Sequence, residues 1–237
     1  LHITPARIEL LPLLSLLLSV AVQSTPIGGF TAHYLASSQG VPCGQGFQSL
    51  SHDREGVTLE SQGDFCLLGE AHNLTRLRWQ EDRWYTQGFT TEVAGWFPAL
   101  YRGEADNQGL IRVFQQGEAV HYPDGMEPAI QGAATLLQNL PLLAQSGQDV
   151  VTSYTWGAET RHYRFENLGK ATLSLMGAPY TALHLRQSHP EKSRVADFWF
   201  APDLGNQLVR LEVRRLGFLV LEVEMQHYQP ASDAGVP

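Results

Sequence analysis

Apolar and polar residues alternate along much of this chain, most regularly between Val195 and Gln226. Val209, Leu211 and Val213 are separated by Arg210 and Glu212, and Leu219, Leu221, Val223 and Met225 by Val220, Glu222 and Glu224. A period of two is the mark of a strand with one buried face. Folding the segment about Leu216 predicts a hairpin with a three-residue loop, Arg215-Leu216-Gly217, whose glycine takes the position that wants a left-handed backbone. That register sets Val209 against Val223, Leu211 against Leu221 and Val213 against Leu219. It also places Arg210 opposite Glu222 on the other face, an opposite-charge pair that favours the same alignment.

The same rhythm runs from Phe30 onward, broken by turn formers. Strands are expected over residues 45–52 and 57–64 around Asp53-Arg54-Glu55-Gly56, then over Leu74–Trp79 and Arg83–Thr91. Further strands are expected over Leu110–Gln115 and Ala119–Tyr122, and then over Val150–Trp156, Thr160–Glu166, Lys170–Leu175 and Pro179–Arg186. One segment departs from the pattern. Pro128–Gln145 carries Ala, Leu and Gln with apolar Ile130, Ala133, Ala134, Leu137 and Leu140 at helical spacing, and Pro141 is expected to kink or end it. About a dozen short strands and one helix predict a mainly β fold: a single curved antiparallel sheet, or half-open barrel, with the helix packed against it. The helix then plugs or flanks the concave side, or acts as a movable lid over a ligand cavity.

Length bears on this picture, because 237 residues with no composition break suit one β domain, read here as residues 25–228. The tail 229–237 is small, polar and proline-containing, and is expected to be disordered. The run Leu10–Ser24 has the length of a signal-peptide core and is short for a membrane span, so residues 1–24 read as a cleavable signal peptide; the alternative is a buried N-terminal helix. A periplasmic protein with no transmembrane span in its mature part follows as the expectation.

Only two cysteines occur, Cys43 and Cys66. A two-residue turn at Arg54-Glu55 places them opposite each other on neighbouring strands, within disulfide reach in an oxidising compartment. Two buried free thiols are the other reading.

The formal charge of −8, without Lys/Arg clusters, argues against a nucleic-acid partner, whose phosphates require cations. Nine histidines invite a metal, but the chain has no His-Glu-x-x-His and no Cys-x-x-Cys, so no metal or other cofactor is expected. A nucleophile elbow, a phosphate loop and a dinucleotide fingerprint are likewise missing from the sequence. His184, His189 and Asp197 are the one group that a strand pairing could bring together for acid–base work. The aromatic residues Trp84, Phe89, Phe97, Tyr101, Phe198, Trp199 and Phe200 either fill a core or line a hollow for an apolar ligand. Because Phe198-Trp199-Phe200 is a strand, its rings must point to both faces, and the second face needs a cover.

Several short motifs resemble a bacterial family known as domain of unknown function 3108. They are Thr31-Ala32-His33-Tyr34 with Gly44-Gln45-Gly46, Gln148-Asp149, and Met176-Gly177 before the strand through His184. Phe198-Trp199-Phe200-Ala201-Pro202-Asp203-Leu204 and Leu208-Val209-Arg210 complete the set, Leu208 standing where the family usually has proline. The resemblance implies a periplasmic protein whose curved sheet is similar to those of envelope lipoprotein carriers, which hold acyl chains in a half-open barrel under a helix. It supplies no catalytic residues. The function expected is therefore non-enzymatic binding of a lipid, acyl chain or other hydrophobic envelope ligand on the concave face. The alternatives are a module that engages another envelope protein and, third, an unrecognised hydrolase.

Overall fold

In β1 (Phe30–Ser38), buried Phe30, Ala32 and Ala36 alternate with exposed His33 and Leu35, and the rest of the sheet is laid outward from this strand. The computed structural model describes residues 28–53, 56–65, 69–95, 98–106, 111–120, 131–156, 159–189 and 193–231. Along the chain follow β2 (Val41–Asp53), β3 (Gly56–Phe65), β4 (Glu70–Gln80), β5 (Arg83–Val93), β6 (Ala99–Ala105), β7 (Ile111–Gln115) and β8 (Glu118–Val120). Next come β9 (Gln131–Gly132), the helix α1 (Ala133–Leu143) and β10 (Val150–Trp156). The remaining strands are β11 (Glu159–Leu175), β12 (Ala178–His189), β13 (Arg194–Ala201), β14 (Gln207–Arg215) and β15 (Phe218–Pro230).

All of these strands join one sheet, ordered β8-β7-β6-β5-β4-β3-β2-β1-β15-β14-β13-β12-β11-β10-β9. Among the described strands every pairing is antiparallel except the two-residue bridge from β9 to β10. The fold is thus the expected mainly β, barrel-like sheet with one helix, and the sheet is not closed. Its two flanks are bridged by α1, which touches β5 on one side and β9 and β10 on the other.

Five hairpins turn on two described residues that both have positive φ: Gln39-Gly40, Glu81-Asp82, Gln116-Gly117, Met176-Gly177 and Leu216-Gly217. This turn matches the right-handed twist of the strands it joins. It also revises the C-terminal hairpin. Arg215 pairs with Phe218, so the loop is Leu216-Gly217, and an irregularity between Val213 and Arg214 shifts the register. Leu211 consequently faces Val223 and Val213 faces Leu221, two positions from the expected alignment. This even shift leaves the side chains from Arg210 to Val213 on their expected face, while nearer the turn Arg214 pairs with Leu219, one position from the expected alignment. Arg210 now pairs across the ladder with Glu224, yet its guanidinium still reaches Glu222 diagonally, Nε to Oε1 at 2.9 Å.

The expected cysteine hairpin holds more closely. Asp53 pairs with Gly56 and Gly44 with Phe65, the predicted register of the cysteine hairpin, and the Asp53 carboxylate accepts the Gly56 N–H at 2.9 Å. Cys66 lies outside the described residues. So do residues 1–24, read as a signal peptide, and Pro128 at the expected helix start. The two strands expected between Thr160 and Leu175 are one, β11, interrupted at Asn167/Gly169 where Leu168 is the extra residue. β15 runs to Pro230, into the segment read as a tail, and the Ala231 N–H donates to Gly29 O at 2.7 Å.

Two main cores form. One gathers Phe30, Leu50, Leu59, Leu77, Trp84 and Met225 from the strands around β1. The other gathers Leu136 and Leu140 of α1 with Phe165, Leu185, Phe198 and Phe200. Each such side chain contributes roughly 1.5–3 kcal/mol by leaving water.

Candidate functional site

The site with the most distinctive geometry is where α1 meets the sheet. β6 pairs with β5 only over Gly88–Val93, so the Arg83–Gln87 stretch of β5 lacks a strand on that side. An unpaired strand edge inside a protein leaves backbone groups that must find other partners. The side-chain amide of Asn139 supplies them. Its Oδ1 accepts the Trp84 N–H at 2.8 Å, and its Nδ2 donates to the Trp84 carbonyl at 2.7 Å. One turn earlier, the hydroxyls of Thr135 and Thr86 lie 2.7 Å apart, and the Gly132 N–H donates to Thr86 Oγ1 at 3.1 Å. Asn139 and Thr135 are fully buried.

A second polar chain crosses the same interior. Gln138 of α1 bonds Gln48 of β2 and Gln207 of β14, each at 3.4 Å, and Gln48 continues to Ser61 of β3 at 3.2 Å. The indole N–H of Trp84 is buried with no hydrogen-bond partner among the described residues. Tyr34 reaches across the interior, its hydroxyl donating to the Leu208 carbonyl at 3.0 Å; burial, reinforced by nearby Tyr228, pushes its pKa well above the usual range.

This corrects the expected orientation of the helix. The predicted apolar face was Ala133, Ala134, Leu137 and Leu140, with Ile130 outside the described residues. The buried set is instead Thr135, Leu136, Gln138, Asn139, Leu140 and Pro141. The helix is embedded on nearly all sides, and its polar residues face the sheet because an open strand edge is there to be satisfied. Residues 128–145 contain no charged side chain, which is the sequence signal for a helix buried all round. Pro141 sits inside the helix, which continues to Leu143 before a 3-10 turn at Ala144–Ser146.

The six described residues of the aromatic set fall in three separate clusters. Trp84 is fully buried beneath α1 and stacks edge-on against Trp79, ring centroids 4.9 Å apart. Phe198 and Phe200 pack against Leu136 and Leu140 of the helix. Phe89 lies over Gly103, its cross-strand partner, in a separate small cluster with Ile111 and Val113, beside which Tyr101 is half-buried. Phe97 is outside the described residues. Trp199 faces the opposite side of β13 from Phe198 and Phe200, and its cover is a pair of side chains. His184 stacks on it at 4.4 Å between centroids, and the Arg210 guanidinium lies 5.9 Å from its ring.

The acid–base candidates divide. His184 and Asp197 do meet, Nε2 to Oδ1 at 2.8 Å. His189 stands at the far end of β12, where its backbone pairs with Arg194. Asp197 is fully buried and also accepts Arg186 Nε and Arg214 Nη1, each at 2.8 Å. Burial pushes the Asp197 carboxyl up, but the hydrogen bonds from Arg186 and His184 outweigh it and hold the group below the usual carboxylate range. Arg214 continues to Glu212, and Arg210 links Glu212 with Glu222. The result is a charge network that ties β12, β13, β14 and β15 together.

No family model matches the sequence. A search of curated proteins also finds no match. Solved structures do resemble it. A beta-barrel-like protein of domain of unknown function 1849 from Brucella abortus aligns over 87% of this chain and 99% of its own, with TM-score 0.53 and 7% identity. MucB, solved in complex with MucA(peri), aligns over 88% of this chain and 54% of its own, with TM-score 0.34 and 9% identity. At these identities the likeness is one of fold, and the chain is a barrel-like β protein similar to one of unknown function.

Proposed function

We propose that this chain is a non-enzymatic binding protein of the bacterial envelope, related to the 3108 family, that holds an acyl chain or similar apolar ligand within its curled sheet, with α1 as the cover. The observation that carries this reading is the way α1 is attached. Toward β5 the helix is held by side-chain hydrogen bonds to a strand edge, groups that water can satisfy equally well when the helix leaves. Toward β12 and β13 it covers Phe198, Phe200 and Leu185, an apolar wall that an acyl chain can cover instead. A helix so attached can exchange for a ligand at modest cost. Action in the periplasm is part of the proposal, supported by the apolar run Leu10–Ser24 and by the register that leads toward a Cys43–Cys66 disulfide.

The test is titration of delipidated protein with a fluorescent fatty acid, alongside native mass spectrometry of protein taken from its own periplasm. Saturable binding that tightens when Asn139→Ala loosens the helix supports the reading. Absence of binding in both forms sinks it.

A second reading rests on the open sheet. β8 ends one side of it as a three-residue strand whose outer edge has no neighbour among the described strands, a place where an envelope protein could add a strand. Recovery of a protein partner from envelope extracts, lost on placing proline at Ala119, would favour it.

A further inference from the structure

On the solvent face of β1, β2 and β3, away from both cores, lies a groove of about 500 Å³. That volume is within the range of roughly 300–1,000 Å³ typical of small-ligand sites. Its floor is bare backbone. Tyr34, Gly46 and Gly63 pair in consecutive strands, and their side-chain positions point to the other face. The two glycines approach so closely that a Cβ on Gly46 would sit 2.7 Å from the Gln62 carbonyl oxygen. An irregularity in the β1–β15 pairing at His33/Tyr34 leaves Gln226 as an extra residue at the rim.

We infer that this groove binds a neutral oligosaccharide. Its walls combine the two side-chain chemistries that a sugar needs. Half-buried Phe47 and exposed His33 present neighbouring rings, centroids 6.4 Å apart, as a surface for the apolar C–H face of a pyranose ring. Around them stand amides and carboxylates, which offer paired donors and acceptors to hydroxyl groups that both donate and accept. Gln45 and Asp64 are exposed, and their side chains make no hydrogen bond or ion pair among the described residues, so their polar groups are available. Gln62 is held in place by donating to Glu70 at 2.9 Å.

Other occupants fit less well. Among the described residues no Lys or Arg lines the groove, while Asp64 and Glu70 do, so an anionic phosphate or fatty-acid carboxylate meets like charge. The strands beneath are paired on both sides, leaving no free edge for an extended peptide to join.

The test is calorimetric titration of the full chain with cellotetraose, maltotetraose and tetra-N-acetylchitotetraose. Saturable binding of at least one is expected, and Gln45→Ala and Asp64→Ala should each weaken it about threefold to tenfold. Both residues are exposed, so folding should be unaffected, which circular dichroism will check; Phe47→Ala should abolish binding. No binding of any of the three sugars, or binding unchanged in both exposed-site variants, overturns the inference. So does a peptide or fatty acid that binds at these residues in place of sugar. Fatty-acid binding inside the sheet, measured on the same samples, should be untouched by Gln45→Ala, so the two proposals fail separately.

Discussion

The side chain of Asn139 hydrogen-bonds both backbone groups of Trp84, doing for one residue of β5 what a neighbouring strand does elsewhere in the sheet. Asn139→Ala leaves a buried N–H and a buried carbonyl without partners. The expected loss is about 2–4 kcal/mol, measured by urea denaturation. Hydrogen exchange should show the Trp84 amide losing protection before its neighbours on β4. Equal protection in variant and wild type would mean that another group holds this strand edge.

Asp197 gives a pH-dependent prediction. Its folded pKa is below the ordinary value of 3.8, so its contribution is fully present above that value and is lost as pH falls through the lower folded value. Asp197→Asn should destabilise by about 2–4 kcal/mol at pH 7, because Arg186 and Arg214 lose their shared carboxylate. The gap between variant and wild type should narrow below about pH 4, where the carboxylate of the unfolded chain takes up a proton before the folded one does. A gap that stays constant down to pH 2 would show that the network contributes no proton-linked stability.

The register at Gly44 and Phe65 leads directly to the cysteine pair. Protein from an oxidising compartment should therefore have a mass lower by two hydrogens under non-reducing conditions. Reduction should cost roughly 3 kcal/mol of stability. Two alkylatable thiols in unreduced periplasmic protein would refute the pairing.

Leu216 offers a stabilising change. It is 70% exposed and holds φ at 51°, a conformation that costs a branched side chain about 1 kcal/mol. Leu216→Asn should raise stability by about that amount, because asparagine tolerates this conformation and no packing is lost. A fall in the melting temperature would contradict the turn.

Strand faces were legible in the sequence, while details that depend on an extra or missing residue were not. The cysteine hairpin has no bulge among its described pairs, and its register follows from the turn residues alone. The C-terminal hairpin gives up one loop residue and takes in an irregularity, and neither changes the alternation that a reader of sequence relies on. The aromatic residues show a different limit. Period-two spacing correctly divides Phe198 and Phe200 from Trp199, but it cannot reveal that His184 and Arg210 cover the outward ring. Thr135, Gln138 and Asn139 carry no such signal in the sequence, because polar positions on a helix ordinarily face water. Their role depends on β6 ending short of Trp84, a tertiary fact with no local trace.

The first and last strands, β1 and β15, lie side by side at the middle of the sheet. Each flank is a meander of local contacts, yet the two flanks are joined by the contact with the longest sequence separation the described chain can make. That seam is slow to find, because loop closure precedes any reward from pairing. Gly29 and Ala231 are hydrogen-bonded, so a short linker would connect these ends. A circular permutant linked there and opened between β8 and β9 would become an uninterrupted meander, each strand beside the next. It should refold faster than the natural order of the same residues.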